Sequence, residues 1–348
     1  MTTRGGIATF VRTMRETALW ADWNVEHIST HRDGSAMKRI TTYLVGLARF
    51  LTAIVLRRPD VVHIHVSVRG SFFRKCVVTW LSILFRIPVV LHVHGSDFHD
   101  FYDRSATPIQ SIIRQTLTKS DMVIALGAVW AARLSEIAPK ADIISVANAV
   151  RPKTAIRQPA LGEPVNVLFL GIVGDRKGTF TLLRAWAARP QTDDVADIRS
   201  ALTVAGDGEI DRAKELVRDL GIGDTVTVHG WVSPTEVPAL IEGAQILVLP
   251  SQNEGQPMAV LEAMANGLCV ITTPVGGIPD LVDTECGVLV PVDDVDALSK
   301  ALDEVVRDEA LRVRLGNSAL DRVRNDFDAD VAARTFDRLY RELAGITV

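Results

Sequence analysis

The chain has 348 residues, 47% hydrophobic and 23% charged, which is ordinary globular composition and excludes a disordered, collagenous or disulfide-stapled protein. A net charge of -4 conceals a split, because residues 1–150 carry 18 Lys and Arg against 11 Asp and Glu while the remainder carries 20 against 31. About two domains are expected, since single cores stop growing at roughly 250–300 residues, and Cys76, Cys269 and Cys286 are spaced as in a reducing compartment, with no CxxC pair.

Short β-branched runs alternate with segments of helical period, the pattern of βαβ units and parallel sheets. In the first half, strands are expected at 24–29, 61–66, 88–94, 122–126 and 142–146, and helices near 12–20, 37–57, 72–85 and 128–137. The apolar runs 43–56 and 77–93 are interrupted by Arg49 and by Arg86 and Pro88. Both fall short of the roughly 20 residues a spanning helix needs, so no transmembrane helix or signal peptide is expected. Residues 151–164 are proline-rich and aperiodic, which places a domain linker there. A second series follows, with strands at 165–170, 201–205, 225–229, 246–249, 269–272 and 287–290, and an amphipathic helix at 332–343.

A doubly wound sheet normally opens with a buried strand that ends in the glycine turn of its first helix. Here Gly5-Gly6 comes within six residues of Met1. A native N-terminal segment absent from this sequence is therefore expected.

No HExxH, GxSxG, GxxxxGK[ST] or complete GxGxxG occurs. The acidic cluster Asp293, Asp294 and Asp296 precedes a helical run at 297–306 and reads as an N-cap rather than a metal site. The densest signal is Ser251 to Gly267. A strand ends at Pro250, a loop carries Glu254, Gly255 and Gln256, Pro257 and Met258 begin a helix, and Gly267 closes it. Amides at such a helix start favour an anion or a sugar hydroxyl. Glu262 lies on the helix row Met258, Glu262, Asn266, at the edge of the apolar face. Taken singly, Glu254 is a turn acid and Glu262 a solvated helix residue; their joint spacing favours a site, one carboxylate for a ribose diol and the other for a sugar.

This Glu-x7-Glu pattern with Gly-x-Pro after the first glutamate resembles the family 4 retaining glycosyltransferases of the GT-B fold. Gly5-Gly6-Ile7, His94-Gly95, Lys177-Gly178, Gly206-Asp207-Gly208 and Thr273-Pro-Val-Gly276-Gly277-Ile-Pro279 follow the same order. The resemblance implies an α/β chain with two Rossmann-like, doubly wound parallel-sheet domains facing across a cleft. The first would span 1–152, with a closing helix at 328–348 crossing back to it, and the second 153–327. It implies that Glu254 contacts the transferred sugar, that Glu262 binds the ribose, and that Lys177 neutralises the donor diphosphate. Gly5 and Gly6 would bring amides to the diphosphate and acceptor, and His94 would sit near the reacting sugar. The family's arginine five residues before the lysine is Ile172 here, for which Arg176 would compensate. Trp231 either flanks the nucleobase or serves as a core or interdomain tryptophan.

The function so implied is metal-independent, retaining transfer of a hexose from a UDP- or GDP-linked sugar to a glycan or lipid-linked acceptor, without cofactor or nucleic acid. A cytoplasmic location follows, with the inner membrane face as an option. Arg69 to Lys75 and the apolar helix through Phe85 read either as a membrane-surface contact or as a core helix with a basic cap. Two alternatives stand beside transfer: an inactive nucleotide-sugar-binding protein and a nucleotide-sugar epimerase of the same fold.

Overall fold

A computed structural model describes residues 5–160, 163–189 and 199–346. The chain divides into two compact units, Met1–Ala149 with Ala329–Val348, and Val150–Asp328. Linker residues 161 and 162 lie outside the described residues, and 151–160 have no regular structure.

The first unit begins with α1 (Gly6–Met14), α2 (Ala18–Asp22) and the long α3 (Ala36–Leu56). It continues through β1 (Val62–Val66), α4 (Gly70–Leu84), β2 (Val89–Val93), α5 (Phe98–Asp103), α6 (Thr107–Lys119), β3 (Met122–Ala125), α7 (Ala128–Ile137) and β4 (Ile143–Ser145). The four strands are parallel in the order β1-β2-β3-β4. Every residue of β2 is buried, as a parallel strand covered on both faces requires. Phe50 and Ile54 of α3 join Ile64, Val66, Phe72 and Leu91 in the core.

Three expectations for this half are corrected. Residues 24–29 form no strand: none of the sheet's four strands pairs with them, and an extended segment without a ladder partner is not a strand. The helix expected at 12–20 is broken, because Thr17 is extended and its hydroxyl donates to the Met14 carbonyl, starting a new helix at Ala18. The helix expected at 37–57 forms as α3, and what is corrected is its reach: among the described residues α3 is by length and composition apolar enough to cross a membrane.

The second unit runs β5 (Val165–Leu170), a short 3-10 turn (Asp175–Lys177), α8 (Thr179–Ala187), β6 (Ser200–Ala205), α9 (Ile210–Asp219), β7 (Val226–His229), α10 (Val237–Glu242) and β8 (Ile246–Leu249). It ends with α11 (Met258–Ala265), β9 (Cys269–Thr272), β10 (Val288–Leu289), α12 (Val295–Arg307), α13 (Glu309–Arg322) and a π turn (Val323–Phe327). Its six parallel strands are ordered β10-β9-β8-β5-β6-β7. The Asp294 side chain accepts from the Ala297 amide and caps α12, so the acidic cluster does serve as an N-cap. Expected strand 287–290 shrinks to Val288–Leu289.

The last helix, α14 (Ala329–Ala344), belongs to the first unit. Trp23 donates to Asp337 at 2.8 Å and meets the Tyr340 ring edge-on. Phe336 packs edge-on to Phe10 of α1.

Candidate active site

In the second sheet the winding reverses between β5 and β8, which pair with each other while the chain runs outward from them to both edges. Ligands bind open α/β sheets at such a switch point, outside the carboxyl ends of the strands. The loop after β5 carries Arg176 and Lys177, and the loop after β8 carries Ser251 to Pro257.

A glycine joins the two loops. Gly178 has φ +70°, and a Cβ there would lie 2.0 Å from the Pro250 carbonyl oxygen. Only glycine lets the turn close against the end of β8. Lys177 is thereby held in an ion pair with the buried Glu254, whose Oε1 also accepts from the Ser251 hydroxyl at 2.6 Å. The loop backbone is fixed from below: the Gly277 amide donates to the Gly255 carbonyl at 3.0 Å, and the Thr273 hydroxyl donates to that of Ser251.

Pro257 is the residue before the first turn of α11, with φ -70° and ψ 120°, not a member of that turn. Its carbonyl accepts the Val260 amide at 3.1 Å, so the Met258 and Ala259 amides precede the helix's own ladder. Gln256, Pro257 and Met258 are buried and Gly255 is half-buried. Glu262 is half-buried on α11, and its carbonyl accepts from Asn266 at 2.8 Å. Arg176 is exposed and donates from Nη1 to the Asn253 carbonyl at 3.3 Å, so it lies beside the same loop. Ile172 is 57% exposed and Trp231 47%; the latter is therefore not a core tryptophan.

Gly5 and His94 lie in the first unit. Gly5, at φ 106°, caps α1, and its carbonyl accepts the Ala8 and Thr9 amides. His94 follows β2 and belongs to a group of four imidazoles that sequence reading did not assemble. His63 and His65 alternate along β1, as do His92 and His94 at β2, and the register sets His65 opposite His92. Both pairs therefore face one side of the sheet. His65 Nδ1 lies 2.9 Å from His94 Nε2, and His63 Nε2 lies 3.2 Å from His92 Nδ1. The other nitrogen of His63 meets the Tyr340 hydroxyl. His92 Nε2 is buried without a partner. Phe10 stands edge-on to His65 and His92.

Burial pushes His63 and His94 down to about 3, and His65 and His92 well below the usual imidazole value. All four are neutral at pH 7, each with one donor and one acceptor. His94 is thus suited to hydrogen-bonding and not to supplying positive charge. The donor nitrogens of His63, His65 and His92 lie within 4.8 Å of one another, a set that could hold a divalent transition metal. The chemistry of the second unit is electrostatic: a cation, a buried carboxylate and a helix start meet at the sheet's switch point.

Two parallel-sheet α/β domains in one chain, the second with Rossmann strand order, define a protein of the GT-B fold. Residues 152–322 match the family of the glycosyl transferases group 1, and residues 7–149 match a glycosyl transferase 4-like domain. The chain is 30% identical over 219 residues to a D-inositol 3-phosphate glycosyltransferase of Corynebacterium diphtheriae, covering 61% of this chain and 51% of that protein. The chain thus spans about half the length of that relative. The Corynebacterium glutamicum protein of the same name is 25% identical over 338 residues, covering 89% of this chain and 79% of its own. Among solved structures, sucrose-phosphate synthase from Thermosynechococcus elongatus aligns with TM-score 0.79 at 21% identity, over 99% of this chain and 95% of that one. HepE from Anabaena, solved with UDP and glucose, aligns with TM-score 0.73 at 15% identity, over 98% and 97%.

Proposed function

We propose that the protein transfers a hexose, with retention of configuration, from a nucleotide sugar to a hydroxyl of a glycan or lipid-linked acceptor, in surface polysaccharide or glycolipid synthesis at the cytoplasmic face of a membrane. The observation that carries this reading is the Lys177–Glu254 ion pair at the β5/β8 switch point, beside the start of α11. Lys177 would exchange its contact with Glu254 for the donor diphosphate, while Glu254 turns to the sugar. Glu262 would bind the ribose, and the amides from Gly255 to Met258 would face the diphosphate. Arg176 would add the second cation in place of Ile172. His94 and the Gly5-Gly6 turn would serve the sugar and the acceptor. UDP is the favoured base, because HepE, a structural relative, was solved with it.

Attack on the face from which the diphosphate leaves, with that diphosphate taking the acceptor proton, needs no protein nucleophile. It needs positioning and charge stabilisation. We propose that no metal takes part: Lys177 supplies the cation, and the acids nearest a metal role are engaged, Asp293 accepting from Thr181 and Gln252 and Asp294 capping α12.

The test is a radiolabelled donor panel of UDP-, GDP- and ADP-hexoses with glycan and polyprenyl-phosphate acceptors, with and without EDTA. An α-linked product from one α-linked donor, unaffected by EDTA, is expected. An inverted product or EDTA-sensitive transfer would overturn the corresponding part. Donor binding without turnover on any acceptor would favour an inactive binding protein, and conversion of the donor alone would favour an epimerase.

A further inference from the structure

The long helix α3 buries Gly46, Phe50 and Ile54 against the first unit, and Phe50 and Ile54 lie in the same core as Ile64 and Val66 of β1. Its other side is apolar and open. Met37, Ile40, Leu44, Val45, Val55 and Leu56 are each between 56% and 75% exposed; at 100° per residue all but Ile40, which flanks Ile54, fall on the side away from the buried three. Exposed Thr41, Ala48 and Thr52 lie among these residues, and a surface seldom carries so largely apolar a helix side without a binding role. In α4, which packs beside α3, Val77, Trp80 and Leu84 are exposed as well.

The charge around this stripe is predominantly positive. Residues 36–86 carry nine Lys and Arg against Asp60 alone. Arg49 and Arg57 are paired with Glu26; Lys38, Arg39, Arg58 and Arg86 are exposed. An apolar stripe edged by cations complements a surface with an apolar interior and an anionic rim. A bilayer-spanning course does not fit, because a helix with one face in an α/β core cannot also be ringed by lipid.

We propose that the outward sides of α3 and α4 dock onto an anionic lipid bilayer, with α3 lying along the headgroup plane. The docking rests on the membrane contact in the function proposed above and assigns it chiefly to α3. It is measured without turnover, so its failure and that of the transferase reading are distinguishable.

The full chain would be floated with vesicles of phosphatidylcholine alone and of equal parts phosphatidylcholine and phosphatidylglycerol. Binding to the mixed vesicles, weakened by salt and much lower on phosphatidylcholine, is expected. The Ile40→Glu/Leu44→Glu variant should partition at least about tenfold less, with its melting temperature and its transfer to a water-soluble acceptor unchanged. Should that variant fail to fold, Lys38→Glu/Arg39→Glu, which alters only exposed charges, should show the same loss. Absence of binding to mixed vesicles, or full retention of binding by a folded variant, would overturn the proposal. So would a wild-type dimer that Ile40→Glu/Leu44→Glu converts to monomer, since a second copy would then own the stripe.

Discussion

Lys177 and Glu254 stand 77 residues apart in the chain, and the structure closes them into an ion pair in which the lysine side chain is 14% exposed and the carboxylate 5%. Glycine at position 178 permits the approach, and Ser251 supplies the carboxylate's further hydrogen bond. In the free protein each group thus neutralises the other at the place where a diphosphate and a sugar would arrive.

The pair should be thermodynamically coupled. Lys177→Ala leaves a buried carboxylate without its counter-ion and should cost about 3–5 kcal/mol. The Lys177→Ala/Glu254→Gln double variant should lose less than the sum of its two single variants. Urea unfolding of the four proteins measures this, and strict additivity would contradict it.

The two glutamates should separate kinetically. Glu254→Gln should lower kcat more than donor affinity, if its contact with the sugar strengthens toward the transition state. Glu262→Ala should weaken binding of the bare nucleotide, read by calorimetry with UDP. Unchanged UDP affinity would remove Glu262 from the ribose.

Gly178→Ala should be costly out of proportion to one methyl group. The added Cβ would fall 2.0 Å from the Pro250 oxygen at a positive φ, so the turn must move and carry Lys177 with it. A loss of at least about 2 kcal/mol in stability is expected, with turnover reduced further. A variant with wild-type melting behaviour would show that the turn has another route.

Acid should unfold the first unit through its histidines. Each of the four has its folded-state pKa depressed by burial. Below about pH 6.5 the unfolded chain binds protons that the folded one refuses. Stability is therefore retained above pH 6.5 and lost progressively as pH falls toward 3. Denaturation at pH 7.5 and pH 5 should show the drop, and His63→Gln should reduce its slope. A flat stability between these values would argue against buried neutral imidazoles.

Much of the second unit is legible because its signals are local. The strand at 246–249, the loop to Pro257, the helix after it and the glycine at 267 follow one another within about twenty residues, and spacing alone carries them. The strand expected at 24–29 has the right composition and no partner: pairing is a property of two segments, and one segment cannot report it. The helix expected at 12–20 breaks for a local reason, since a threonine side chain competes with the helix for the backbone.

By itself, the sequence determined the alternation of elements, the Glu254-x7-Glu262 spacing at a helix start, the Lys177-Gly178 turn, and the basic first half set against an acidic second. Only the tertiary structure decided which charges meet, how β1 and β2 register to gather four histidines on one face, and which side of α3 remains uncovered. The physical reason is range. Helical period, turn geometry and capping act within a few residues, whereas strand register, desolvation and ion pairing depend on segments that only the folded chain brings together.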